Sequence, residues 1–218
     1  MSDDLERSPE RVREVYDEIA SHFAKTRRYP WPEVEDFLAV VERDGAALDV
    51  GCGNGRHVET LQERADRVVG VDVSRSLLDA ALERVPDGRF VLGDASHLPI
   101  GSDCVDLAVY IATLHHLPSR DERIASLDEL ARALGPDGQA LVSAWSTAHD
   151  TFDTPADAET GFDTTVEWTL PGGETVPRFY HIYAPAEFRA DIGSSALSMD
   201  AFEVSSGNCY GTVSPASR

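Results

Sequence analysis

The sequence predicts an α/β chain built on a doubly wound, mostly parallel sheet, and three observations carry that expectation. The apolar run Ala46-Ala47-Leu48-Asp49-Val50 ends in Gly51, Gly53 and Gly55 and is followed by a helical segment over 58–64. A second apolar run over 67–71 closes on Asp72, about twenty residues beyond the glycines, where an acid holds a pair of ribose hydroxyls. Further apolar runs at 89–92, 103–111 and 139–145 alternate with amphipathic segments, the pattern of strands joined by crossover helices. The glycines let the backbone turn tightly and approach a ligand, and the helix behind them directs free N–H groups to the same place.

The N-terminal region is helical. Ser8 and Pro9 form a helix start, and Val12, Val15, Tyr16, Ile19, Ala20 and Phe23 recur at helical spacing to about Ala24. Lys25-Thr26-Arg27-Arg28 is the one dense basic cluster in the sequence. It reads as an anion-binding patch or as cations that offset a helix C-terminus. Tyr29-Pro30-Trp31-Pro32 breaks the helix, and Val34, Phe37, Leu38 and Val41 mark one face of a second.

Beyond Asp72, Ser74 caps a helix to about Arg84 with Leu77, Leu78 and Ala81 inward. Arg89-Phe90-Val91-Leu92 is a short strand leading to Gly93-Asp94-Ala95, and 103–111 is an apolar strand of the kind covered on both faces. That strand runs into His115 and His116, beyond its carboxyl end, where ligands of open α/β sheets sit. Residues 119–134 read as an amphipathic helix stopped by Gly135-Pro136-Asp137-Gly138, before a fifth strand at 139–145.

Residues 146–161 are polar, acidic and aperiodic, a loop or partly ordered insert. Two β-like runs, 165–170 and 175–183, are joined by Pro171-Gly172-Gly173. In the second, Arg178, Tyr180 and His181 combine cationic and aromatic groups suited to a base and a phosphate, although aromatics alternating in a strand also serve as core. A helix over 185–192 and runs at 202–204 and 209–213 close the sheet. With no internal repeat, residues 1–218 read as one domain: N-terminal helices and substrate cap (1–45), core (46–145), insert and substrate-facing strands (146–183), closing helix and strands (184–218).

Composition narrows the classes. A chain of 218 residues with 42% apolar content forms a full globular core. No apolar run approaches the roughly 20 residues of a membrane span. Met1-Ser2-Asp3-Asp4 has neither the basic start nor the apolar stretch of a secretion signal, so the cytoplasm is the expected compartment. The net charge is −20, and Lys25 is the only lysine among 19 basic residues. Such an excess of carboxylate keeps a protein dispersed in a salty cytosol, and it also repels nucleic acid. Cys52, Cys104 and Cys209 stand far apart without C-x-x-C spacing, which supports neither a metal site nor a disulfide framework.

The glycine spacing discriminates between ligands. A dinucleotide fold uses G-x-G-x-x-G, whereas Gly51, Gly53 and Gly55 follow G-x-G-x-G with Arg56 at the last glycine's place. Asp49-x-Gly51-x-Gly53-x-Gly55 with Asp72 resembles the cofactor loop of class I S-adenosylmethionine-dependent methyltransferases. A closer resemblance extends over nearly the whole chain. Residues 15–23, Thr26-Arg27, Pro30-Trp31-Pro32, the 49–55 loop, 111–116, Gln139-Ala140-Leu141, Trp145 and Tyr180-His181-Ile182-Tyr183 together look like the tRNA wobble-uridine carboxymethyl methyltransferases.

That resemblance implies a Rossmann-like, mostly parallel seven-stranded sheet and S-adenosyl-L-methionine as cofactor. The reaction it implies is methylation of the carboxylate of 5-carboxymethyluridine in tRNA. It assigns Asp49, Gly51, Gly53, Gly55, Asp72, Val73, Asp94, Ala95 and Ile111 to the cofactor, and Arg27 and His116 to the modified uridine. Arg178, Tyr180 and His181 follow as further substrate contacts, with His22 and His115 beside them, and the basic cluster adds Lys25 and Arg28 as an anion-binding patch. The resemblance also implies a small zinc-binding activator subunit pairing beside Arg89-Leu92. The chain departs from the family in its acidic surface, its short insert after Trp145 and its Cys209-Tyr210 ending.

The chemistry suits what is absent. A carboxylic acid with a pKa of roughly 4 is already a nucleophilic anion at neutral pH, so it needs positioning by a cation or donor, not a general base. The Asn/Asp-Pro-Pro pattern of amino-group methylation is replaced here by Thr113-Leu114-His115-His116. Neither Cys52 nor Cys104 follows a proline, as a pyrimidine-C5 nucleophile does. Two other readings remain at this stage: a methyltransferase for a quinone or a small acid, and a non-catalytic cofactor-binding adaptor.

Overall fold

A computed structural model describes residues 8–41, 45–154 and 158–217, so the leading Met1-Ser2-Asp3-Asp4 lies outside the described residues. Two helices, α1 (Pro9–Thr26) and α2 (Pro32–Val40), precede β1 (Ala46–Val50), α3 (Arg56–Leu61), β2 (Arg67–Asp72), α4 (Arg75–Arg84), β3 (Arg89–Leu92) and β4 (Val105–Tyr110). A 3-10 turn over Leu114–His116 leads to α5 (Arg120–Ala133), β5 (Leu134–Trp145), β6 (Phe162–Thr169), β7 (Thr175–Ile182), α6 (Pro185–Ser194), β8 (Leu197–Ser205) and β9 (Asn208–Pro215). Seven strands form one sheet in the order β3-β2-β1-β4-β5-β9-β8. Strands β1 to β5 pair in parallel, and β9 pairs antiparallel with both β5 and β8. The α/β class and mostly parallel sheet are thus as the sequence predicts, and its seven strands as the resemblance implies.

Alternation along the central strands sorts their side chains onto two apolar layers. Leu48, Val50, Ala108, Tyr110 and Val142 pack under α5 and α6 with Leu127, Leu130, Phe188 and Ile192. Ala47, Leu107, Val109 and Leu141 face α2 and α3 with Val34, Leu38, Val58 and Leu61. The fully buried Tyr110 donates its hydroxyl to Ser126 Oγ at 3.1 Å. Ser119 and Glu122 form a reciprocal capping box at the start of α5, a device contributing about 1 kcal/mol.

Several boundaries differ from the sequence reading, β6 starting at Phe162 and β8 at Leu197 among them, and two of the differences have a local cause. The helix after the glycines begins at Arg56, two residues early, because Gly55 at φ 75° serves as its N-cap in the left-handed region that glycine tolerates. The segment Gly135-Pro136-Asp137-Gly138 does not separate helix from strand; β5 starts directly at Leu134. The proline is accommodated by a bulge, where pairing with β4 shifts register between Val105 and Leu107.

Strands β6 and β7 form a two-stranded sheet of their own. Its Trp168 and Val176 pack on Val15 and Ile19 of α1. The insert leaves and rejoins the core at one point: Tyr183 N donates to Trp145 O at 3.0 Å, and Thr147 N donates to Tyr183 O at 2.9 Å. Among the described residues, no helix is long and apolar enough to cross a membrane.

Candidate active site

A cavity of about 400 Å³ opens over the carboxyl ends of the central strands, the place where an open α/β sheet holds its ligand. On one side of β1 its wall is Asp72 and Val73 after β2, and Asp94 and Ala95 after β3; on the other are Ile111, His115 and His116 after β4. Helix α1 and strand β7 close it with Tyr16, Arg27, Arg178 and Tyr180.

The glycine loop is fixed from beneath. Gly51 N and Cys52 N donate to Val71 O at 2.8 and 3.0 Å, and Gly53 N donates to Asp72 Oδ2 at 2.8 Å. Ser74 N occupies Asp72 Oδ1 at 2.8 Å. Burial is the largest influence on the Asp72 carboxyl and pushes it up to about 6, against the amide bonds from Ser74 and Gly53 that favour the anion. At Gly51, φ is 69° and an added Cβ would stand 2.1 Å from Thr113 Oγ1. Gly51→Ala is therefore expected to cost about 2–4 kcal/mol of stability, seen as a lowered Tm in a thermal melt, with weaker ligand binding at the displaced loop. An unchanged Tm would mean the loop is not held as described.

The wall on the β4 and β7 side is a neutral, hydrogen-bonded aromatic cluster flanked by two arginines. His116 Nδ1 lies 3.0 Å from Phe179 O, which can only accept, so Nδ1 carries the proton and Nε2 accepts from Tyr16 O–H at 2.7 Å. Burial first, with the nearby Arg178 charge, pulls His116 down to about 3, overriding the favourable Phe179 bond. His115 accepts from Trp145 N at 2.9 Å through Nδ1, stacks on Tyr180 at 4.8 Å, and is held well below its ordinary value chiefly by burial. Both rings are therefore uncharged at neutral pH. Arg178 donates through Nη1 to Tyr180 Oη at 2.7 Å and lies 4.8 Å from the Trp168 ring centre. Its buried Nε has no hydrogen-bond partner. Arg27 lies 5.2 Å from the same Trp168 ring, whose Nε1 donates to His22 Nδ1 at 3.1 Å.

Of the residues expected from the sequence, Arg27, Gly51, Gly53, Asp72, Val73, Asp94, Ala95, Ile111, His115, His116, Arg178 and Tyr180 line this one cavity. Six do not. Asp49 shares its strand face with Ala47 and points into the α2–α3 layer; burial pushes its carboxyl up to about 8, and neither oxygen has a hydrogen-bond partner. Gly55 serves as the helix cap. His22 sits behind Trp168. Lys25 and Arg28 are exposed, and Arg28 O accepts from Arg84 Nη2 at 2.6 Å.

His181 follows the strand alternation away from Arg178 and Tyr180. It lies between Asp163, 2.8 Å from Nδ1, and Glu187, 3.1 Å from Nε2. It joins the hairpin to α6 and is not part of the cavity wall.

Tertiary structure adds residues that sequence reading missed. Tyr16 looks like one more apolar position of α1, and only the fold brings it to His116. Asp17 accepts from Ser74 Oγ at 2.6 Å and Ser76 N at 2.9 Å, pinning α1 over the start of α4. Asn54 Nδ2 donates to Arg27 O at 2.8 Å and Ala24 O at 3.3 Å, which ties the end of α1 to the glycine loop. Its place within the glycine run was the available signal. Trp31 and Arg56 also line the cavity.

Comparison with known proteins places this geometry in context. A family model described as a methyltransferase domain matches residues 48–142. The mouse tRNA (carboxymethyluridine(34)-5-O)-methyltransferase ALKBH8 is 37% identical over 142 residues, 65% of this chain and 21% of that protein. The Saccharomyces cerevisiae tRNA (carboxymethyluridine(34)-5-O)-methyltransferase is 31% identical over 173 residues, 79% of this chain and 61% of that protein. The chain thus spans about a fifth of the mouse relative's length and about three fifths of the yeast one's. An Encephalitozoon cuniculi protein described as a methyltransferase is 32% identical over 176 residues, covering 79% of this chain and 80% of that protein.

Among solved structures, the DhpI–SAH complex superposes with a TM-score of 0.72 at 21% identity, over 97% of this chain and 100% of that one. A methyltransferase in complex with the Haloferax volcanii Trm112 methyltransferase activator gives 0.70 at 16% identity, over 95% and 98%. At these identities the two structures speak for the fold alone.

Proposed function

This chain belongs to the class I methyltransferase family, and on that premise we propose that it transfers a methyl group from S-adenosylmethionine to the carboxylate of 5-carboxymethyluridine at the wobble position of tRNA. The relatives carrying that activity in their names match it over much of its length. The observation that carries the reading is one cavity with an acid-walled glycine loop on one side and, on the other, Arg27 and Arg178 beside uncharged histidines.

The residues present fit the cofactor. Asp72 and Asp94 put carboxylates on the cavity wall for ribose hydroxyls and a base amino group, in a space of the size that holds a nucleoside with an amino-acid tail. Bound there, S-adenosylmethionine supplies an electrophilic methyl group on a sulfonium. On the acceptor side, Arg27 and Arg178 hold the uridine carboxylate by charge and hydrogen bonding and orient it for in-line attack. The acceptor brings no proton to be removed. Accordingly, Tyr16 and His116 spend their hydrogen bonds on each other and on Phe179 O, which makes them a rigid wall and not a proton shuttle. Cys52, its thiol pushed well above the ordinary range chiefly by burial, stays protonated and is no nucleophile.

At saturating cofactor, kcat is therefore expected to show no ionisation near about 6.5, the ordinary histidine value. A pH–rate profile with a step there would identify a histidine base and refute the neutral wall.

The reading extends to compartment and partner. The chain acts in the cytoplasm with a small zinc-binding activator that adds a strand beside β3, the first strand of the sheet order, where Leu92 and Leu82 are exposed apolar residues. The direct test is incubation with labelled S-adenosylmethionine and tRNA lacking the wobble methyl ester, at high salt, with and without such an activator, followed by nucleoside mass analysis. A base-labile methyl ester on the wobble uridine is the expected product. Cofactor binding without label in tRNA in either sample would redirect the assignment to a small carboxylic acid.

A further inference from the structure

Arg56 is a buried cation without a hydrogen-bonded or ion-paired acid among the described residues. It is 8% exposed and lines the cavity with its guanidinium 5.5 Å from the Trp31 ring centre. No described residue offers that guanidinium a hydrogen bond, or a carboxylate within 4.0 Å. The acid whose charge reaches it is Asp49, turned into the α2–α3 layer, while the charges of Arg27 and Arg84 add to its own. Burial, the first cause, pulls Arg56 down to about 10, so it is still a cation at neutral pH. A buried, unpaired charge is unfavourable unless an anion completes it.

Its position says which anion. Asp72 and Asp94 follow β2 and β3 on one side of β1 in the sheet order, whereas Arg56 is directed to the other side, toward Trp31 before α2 and toward Tyr210 of β9. There the cavity continues to Ser206 and Asn208. This is the acceptor's side, and Arg27 and Arg178 already serve the acceptor's carboxylate. An RNA acceptor has a backbone phosphate on each side of the target nucleotide, and a planar guanidinium beside an aromatic ring presents a fork of donors suited to phosphate. We propose that Arg56, held on Trp31, is a phosphate-binding subsite for the RNA backbone next to the methylated nucleotide. The proposal rests on the tRNA reading above and adds to it the residue that recognises a polynucleotide as distinct from a free acid.

The test uses the full chain and three variants, Arg56→Gln, Arg56→Lys and Trp31→Phe, each checked by thermal melting. Binding of an anticodon stem–loop is followed by fluorescence anisotropy against salt, and binding of S-adenosylhomocysteine by calorimetry. Arg56→Gln is expected to keep cofactor affinity within about twofold and to weaken RNA binding about tenfold. Its log K against log salt should be shallower by about 0.7, one single-strand phosphate contact. Arg56→Lys should recover part of the loss. A stem–loop with neutral methylphosphonates flanking the target uridine should bind wild type about tenfold less tightly and Arg56→Gln no less tightly than the natural RNA. Lost cofactor affinity with unchanged RNA affinity would overturn the proposal and assign Arg56 to the cofactor's carboxylate; no change in either would leave it a structural cation. If wild type neither binds nor methylates RNA, the tRNA reading is what fails. The subsite is then judged by inorganic phosphate, which must shift the Trp31 emission, identified by its loss in Trp31→Phe, in wild type and not in Arg56→Gln. Absence of that shift overturns the subsite.

Discussion

Asp72→Ala is expected to reduce cofactor affinity at least about 100-fold while leaving a folded protein. The carboxylate lines the cavity and also organises the glycine loop, accepting from Gly53 N and Ser74 N at 2.8 Å each. Removing it deletes the acceptors for a pair of ribose hydroxyls and frees two amides. Hydrogen bonds to a charged group contribute roughly 1.5–3 kcal/mol each, so losing two predicts about 3 kcal/mol or more in binding. Calorimetric titration with S-adenosylhomocysteine measures it, and an affinity within tenfold of wild type would remove Asp72 from the site.

The same residue sets a pH signature of opposite sign in two measurements. Its folded value is raised to about 6, so the ligand-free fold favours the protonated acid. From this group, stability grows as pH falls through 6 toward the ordinary carboxylate value of about 4 and is lost as pH rises through that window. Cofactor affinity, which needs the anion, falls as pH drops below about 6.

Arg27→Ala is expected to leave cofactor affinity unchanged and to lower kcat on tRNA by about 100- to 1,000-fold, the scale on which removal of one oriented charge-stabilising donor acts. Arg27 is exposed yet lines the cavity, and its position is imposed from outside itself, by Asn54 gripping its carbonyl at 2.8 Å and by the Trp168 ring at 5.2 Å. Its loss therefore takes charge from the cavity wall beside Trp168 without disturbing the glycine loop. Single-turnover methyl transfer at saturating cofactor is the measurement. Full activity would show that Arg178, or neither arginine, holds the carboxylate.

What could be read in the sequence was what local geometry controls. The strand–glycine–helix unit, Asp72 and the His115–His116 turn each depend on a short stretch whose fold class fixes where its side chains go. Asp49 and His181 were misplaced by one step of strand alternation, because a period of two sends neighbours to opposite faces and only the packed layers decide which face the cavity takes. The start of β5 was hidden by a Gly-Pro-Asp-Gly segment that reads as a turn until the bulge opposite Val105 and Leu107 is seen. Tyr16, Trp168 and Arg56 were illegible for a different reason: their roles consist of contacts across the chain, such as the 2.7 Å bond from Tyr16 to His116, which no local pattern encodes.

The ends of the β6–β7 insert meet where Trp145 and Thr147 hydrogen-bond Tyr183, so the cassette carrying Arg178 and Tyr180 is clipped into the chain at one closed joint. A different cassette joined there leaves the glycine loop and Asp72 untouched. For protein engineers, one part of the cavity wall is in this architecture an exchangeable module: a graft between residues 146 and 183 replaces Arg178 and Tyr180, while Tyr16, Arg27 and the His115–His116 turn stay with the unaltered platform.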